Sequence, residues 1–123
     1  MSKTALIFVC AAGILSVPGC KETERFGAIA ISASTGKFGG VIDRGSREQA
    51  ESDAKGMCAQ PDCGNLVVWF KNACVAIAQG AAPNQVFGST AQPTDQDAQK
   101  AALAECSKTG SGCTVAATFC TTR

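Results

Sequence analysis

The cysteines are the residues of this chain with the most chemistry in them, and their spacing narrows what that chemistry is. Eight are present, at positions 10, 20, 58, 63, 74, 106, 113 and 120, against no histidine at all. Without histidine the commonest general base and the commonest metal ligand are missing, so a Cys–His or Ser–His nucleophile cannot be assembled. Two short cysteine loops, Cys58–Cys63 and Cys106–Cys113, could in principle hold zinc as four thiolates. Their spacers of four and six residues are longer than the two-residue knuckle that zinc sites favour. Ser32, Ser34, Ser46 and the threonines of GSTAQPT have no basic partner at fixed spacing, and Ser/Lys chemistry would require Lys37 or Lys55 to arrive from elsewhere. GSREQ and GSTAQPT precede helical stretches but lack the lysine of a phosphate loop. Asp95 and Asp97 are too few oxygen ligands for calcium. The expectation is a protein that is not an enzyme and carries no cofactor and no metal.

The compartment follows from the N-terminus. Lys3 precedes the apolar run TALIFVCAAGILSV, which suits the central region of an export signal and is short for a membrane span. The run ends in Val17-Pro18-Gly19-Cys20, which resembles the lipobox of bacterial lipoproteins, although proline is not the usual residue at its position. Residues 1–19 are therefore read as a lipoprotein signal peptide. Residues 20–25 are read as a lipidated Cys20 and a short tether, and residues 26–123 as one domain. Removal of the signal leaves basic and acidic side chains equal in number and interspersed, which argues against a nucleic-acid surface.

Export makes the six remaining cysteines a disulfide framework, for which 15 connectivities exist. An internal repeat narrows them. Ala28-Ile29-Ala30 returns as Ala76-Ile77-Ala78, Phe38-Gly39 as Phe87-Gly88, and Ala50, Ala54 and Cys58 as Ala98, Ala102 and Cys106. Cys63 returns as Cys113 and Trp69-Phe70 as Phe119-Cys120, after a small lengthening of the second cysteine loop. The reading is one supersecondary unit used twice, at about 26–73 and 74–123. Each unit is a strand, a turn, a strand, a capped helix and a third strand. FGAIAISAS alternates isoleucine with alanine, and Ser34-Thr35-Gly36 and Ala82-Pro83-Asn84 are turn chemistry. Ser46 with Gln49, and Thr94 with Asp97, open the helices. The inward faces are then Ala50, Ala54, Met57 and Cys58, and Ala98, Ala101, Ala102 and Cys106. The fold class is α+β: two strand–strand–helix–strand units, about six antiparallel strands, two helices and three disulfides. The two units share a sheet or face each other.

Equivalence between the units pairs Cys58 with Cys63 and Cys106 with Cys113, and leaves Cys74 to pair with Cys120. Their counterparts in the first unit are Phe26 and Phe70, which are expected to touch as the apolar substitute for that bridge. LVVWF, residues 66–70, reads as a strand covered on both faces.

FGAIAISASTGKFG, the alanine-rich helix ending in Cys58, and CGNLVVWFKNACVAIA together resemble the bacterial family of domain of unknown function 4189. The resemblance spans about Phe26 to Cys120. It implies a single exported domain and carries no catalytic residues, and this sequence has phenylalanine at Phe38 and Phe87 where tryptophan or tyrosine is common.

Asp43, Arg44, Trp69, Lys71 and Asn72 are the candidate partner-binding residues: loop charges, a sole tryptophan and a tight-turn pair. The expected function is that of a non-enzymatic, periplasm-facing lipoprotein that binds a protein. Small anchored disulfide proteins without catalytic groups resemble immunity proteins that neutralise an antibacterial effector. The alternatives are a structural component of an envelope complex and, with less support, an envelope enzyme. The membrane is met through the lipid anchor. Lys21 following Cys20, rather than aspartate, favours the outer membrane.

Overall fold

The computed structural model describes residues 25–122. The signal, the lipobox, Cys20 and most of the tether lie outside the described residues. Strands β1 (Phe26–Ile31), β2 (Phe38–Arg44) and β3 (Val67–Lys71) form an antiparallel sheet in the order β2-β1-β3. Helix α1 (Arg47–Cys58) lies between β2 and β3 in the chain, and a 3₁₀ turn at Cys63–Asn65 leads into β3. Strands β4 (Cys74–Gln79), β5 (Val86–Gly88) and β6 (Thr114–Cys120) form a second antiparallel sheet in the order β5-β4-β6, with helix α2 (Asp95–Thr109) between β5 and β6. The two sheets face each other, and each carries its own helix on the outside.

Period-two alternation produces this layering. In β1, Ala28 and Ala30 point to α1, whereas Ile29 and Ile31 point to the other sheet. In β4, Ala76 and Ala78 point to α2, whereas Val75 and Ile77 point to the first sheet. Large side chains therefore fill the layer between the sheets, where Ile29, Ile31, Phe70, Val75 and Ile77 are almost fully buried. Each contributes about 1.5–3 kcal/mol. Small side chains line the helix layers. Ala50, Ala54 and Cys58 recur every four residues along α1, and Ala98, Ala102 and Cys106 do so along α2. Close approach is the consequence: a Cβ on Gly39 would strike the backbone of the last turn of α1. Alanine buries little area, and all three disulfides sit in these alanine-lined layers rather than among the isoleucines.

The helices start where the sequence places them. The Ser46 hydroxyl accepts from the Gln49 N–H at 3.1 Å, and the Thr94 hydroxyl accepts from the Asp97 N–H at 3.1 Å. Bridges Cys58–Cys63, Cys106–Cys113 and Cys74–Cys120 are formed as the repeat predicts.

Four local expectations are corrected. Phe26 and Phe70 do not substitute for the bridge. Phe26 is paired with Lys71 and packs in the α1 layer, while Phe70 is paired with Gly27 and packs between the sheets. The sequence alignment is off by one residue here, and one residue in a strand reverses the face. The counterpart of Cys74–Cys120 is instead Phe26–Lys71, with the ammonium 5.1 Å from the ring centroid. Second, Met57 is 63% exposed and belongs to the outer face of α1. Third, the strand in LVVWF is an edge strand, so Trp69 is 40% exposed and Leu66 43%. Fourth, Asn72, at φ 52°, turns the chain from one sheet to the other rather than closing a hairpin.

Candidate functional site

The ends of the sandwich are chemically different. At one end the sheet register places Arg44, Phe26 and Lys71 side by side across β2, β1 and β3. Trp69, two residues before Lys71 on the same face, meets Phe26 with centroids 6.0 Å apart. Arg47, the first residue of α1, lies over the Trp69 ring at 4.9 Å. Carboxylates further along α1 hold the guanidiniums: Arg44 Nε donates to Asp53 at 2.7 Å, and Arg47 Nε to Glu51 at 3.1 Å. Arg44 Nη1 also donates to the Ile42 carbonyl at 2.9 Å. Arg44, Trp69 and Lys71 are thus brought into one cation–aromatic cluster, and Asn72 follows directly at the turn.

Asp43 is placed differently. It sits in a bulge where two β2 residues oppose one of β1, with φ at 60°. Its carboxylate accepts from the Thr122 N–H at 2.8 Å and the Thr122 hydroxyl at 2.7 Å. These bonds, the backbone one first, hold its carboxyl below the ordinary carboxylate range, and the charges of Arg25 and Arg44 add to them. Beside it, Thr121 donates its N–H to the Ala73 carbonyl at 3.0 Å and accepts from the Ala73 N–H at 3.2 Å on its hydroxyl. Asp43 therefore clamps the end of the last strand to the first unit.

The other end gathers four connections into a row. Residues 59–66 touch residues 32–37 through Asp62, which accepts from the buried Ser32 hydroxyl at 2.6 Å and the Ser34 N–H at 3.1 Å. The Ser32 bond is the main reason that the Asp62 carboxyl lies below its ordinary range. Residues 32–37 meet residues 80–85, since Gly36, at φ 78°, leaves no room for a Cβ against Pro83. Residues 80–85 meet residues 110–113, with the Ala81 N–H donating to the Ser111 carbonyl at 2.7 Å. Disulfides pin the first and last of these segments to the helix ends. Exposed tips include Thr35, Asn65 and Asn84.

Arg44, Trp69 and Lys71 are candidates from the sequence, whereas Arg47 and Phe26, which complete their cluster, carry no local sign of it. Ser32, a hydroxyl without a basic partner in the sequence, is bonded to Asp62, which no local spacing marks. Those pairs are separated by tens of residues, so no local spacing reveals them. Among the described residues no three metal-ligating side chains come together, and no helix is long and apolar enough to cross a membrane.

The NMR structure of Rv1813c from Mycobacterium tuberculosis is similar to this chain, with a TM-score of 0.62 at 25% identity over 78% of this chain and 74% of that one. No curated protein matches. The family model described as Domain of unknown function (DUF4189) matches residues 26–120, and the chain belongs to that family.

Proposed function

We propose that the chain is a lipid-anchored, periplasm-facing module that binds a protein through its four-loop end. The observation that carries this is the interlocking row of loops, drawn from both halves and fixed by hydrogen bonds and disulfides. A preorganised surface loses little freedom on binding, which is what favours affinity. The matching sheet orders of the halves support the internal repeat and make the row a composite of two related edges. A role without catalysis is supported by the absence of histidine, by six domain cysteines committed to bridges, and by the engagement of Ser32 with Asp62. Neutralisation of an effector is the specific version of this reading, with the outer membrane as the site.

The test is co-purification from envelope extracts with the wild-type chain, a loop-end variant (Thr35→Glu with Asn84→Glu) and a variant at the other end (Lys71→Glu). A stoichiometric partner lost only with the loop-end variant supports the proposal. If that partner is toxic and deletion of this chain causes self-killing, it is an effector. Recovery of envelope-complex subunits alone favours the structural role. Retention of the partner by the loop-end variant refutes the assignment of the surface.

A further inference from the structure

We infer that the cation–aromatic end of the domain docks on the anionic surface of the bilayer to which the chain is anchored. This rests on the proposed lipidation of Cys20. The chain enters the described domain at Arg25–Phe26, in the middle of this end. Five tether residues reach at most ~18 Å, so this end is held near the bilayer. The loop end is a further strand length away, about 20 Å for a strand of this size.

What the tether holds there is suited to a lipid–water boundary. Trp69 is 40% exposed and is partly backed by Phe26 and Arg47, and tryptophan is favoured at the headgroup level. Arg44, Arg47 and Lys71 surround the rings, and Arg25 precedes Phe26 where the chain enters the domain. Each basic side chain near an anionic surface is worth roughly fivefold in partitioning. Glu51 and Asp53 pair directly with Arg47 at 3.1 Å and Arg44 at 2.7 Å, fixing the guanidiniums beside the rings and offsetting part of their charge. Glu48, in the first exposed turn of α1, and Asp43, in the β2 bulge, oppose the attraction, so the tether and Trp69 carry much of the orientation. The anchor supplies the attachment, and the cluster decides which end of the domain faces lipid. A partner then meets the loop end, pointing away from the membrane.

Trp69 is the sole tryptophan, so intrinsic fluorescence reads this surface directly. The chain from Cys20 onward contains the whole described core and all three bridges. Its Cys20 thiol can be coupled to a maleimide phospholipid in vesicles of phosphatidylethanolamine and phosphatidylglycerol. The expected result is a blue shift of Trp69, quenching by phospholipid labelled near the headgroup, and protection from aqueous iodide. Phosphatidylcholine vesicles and the Arg47→Gln/Lys71→Gln variant should lose most of each effect while keeping the disulfides. Trp69 emission and iodide access unchanged between free and vesicle-coupled protein would overturn the docking. So would burial of Trp69 by a captured envelope protein but not by lipid. Intact mass of the cell-derived protein tests native lipidation separately, since the coupled form carries its lipid by construction.

Discussion

Replacing Cys74 and Cys120 together by alanine removes the bridge that closes almost the whole second unit. The magnitude follows from loop length. Cys74 and Cys120 are 46 residues apart, while Cys58–Cys63 and Cys106–Cys113 span 5 and 7. In the chain-entropy description the long loop is worth about 4 kcal/mol and each short one about 2, because the unfolded chain loses more freedom when distant residues are joined. Truncating buried cysteines adds a small cavity cost whichever bridge is removed, since Cys58, Cys63, Cys74 and Cys106 are all buried, so the difference between variants rests on loop length. For a domain with a total stability of roughly 5–15 kcal/mol, 4 is a large share. The assay is equilibrium urea unfolding of three double variants, each with one bridge removed. The Cys74→Ala/Cys120→Ala protein should lose about twice the free energy of either local variant and should show a larger m-value, since its unfolded state is less restricted. If either local variant loses as much as the long-loop variant, the assignment of 74–120 as the principal staple is refuted.

Three further outcomes are expected. Phe70→Ala, at 2% exposure between the sheets, should cost about 3–5 kcal/mol, and Trp69→Ala, one residue away on the edge, about half of that or less by the same scale; equal losses in chemical denaturation would contradict the layering. Phe26→Cys with Lys71→Cys should form a fourth bridge, since direct antiparallel partners lie about 4.5–5.5 Å apart at Cα, within the disulfide range. It should raise the midpoint of thermal unfolding under non-reducing but not reducing conditions, and failure to oxidise would show the register to be wrong. Asp43 and Asp62 have carboxyls held below their unfolded values by hydrogen bonds. Their contribution is therefore full above the unfolded carboxylate pKa, about 4, and is lost as pH falls through the lower folded value. Asp43→Asn and Asp62→Asn should each flatten the acid limb of stability against pH, measured by urea midpoints from pH 7 to pH 2; an unchanged limb in both would remove this account.

The loop end and the clustered end differ in how far they can be read along the chain. Ser46, Thr94 and the alanines at four-residue spacing announce their helices because a cap and a periodic face are local properties. Ser32–Asp62 and Arg47–Trp69 are contacts between residues far apart in the chain, and neither partner carries a local sign of the other. Trp69 itself reads as interior from its neighbours Val67, Val68 and Phe70. The strand order leaves β3 at an edge, and that is a property of the assembled sheet.

The order of elements, the strand–strand–helix–strand plan of each half and all three disulfide pairings are legible along the chain, because each rests on caps, turns and cysteine spacings that are local. The missing histidine is legible there too, and with it the narrowing of possible chemistry. The tertiary structure decided that the two units face each other across a layer of isoleucine, valine and phenylalanine, and that Phe26 stands opposite Lys71 rather than Phe70. It also decided that Asp43 is a clamp on Thr122 while Arg44, Trp69 and Lys71 share a surface. The reason is register: a shift of one residue leaves composition and periodicity unchanged but reverses every side chain of a strand, so only the pairing of strands reveals which faces meet.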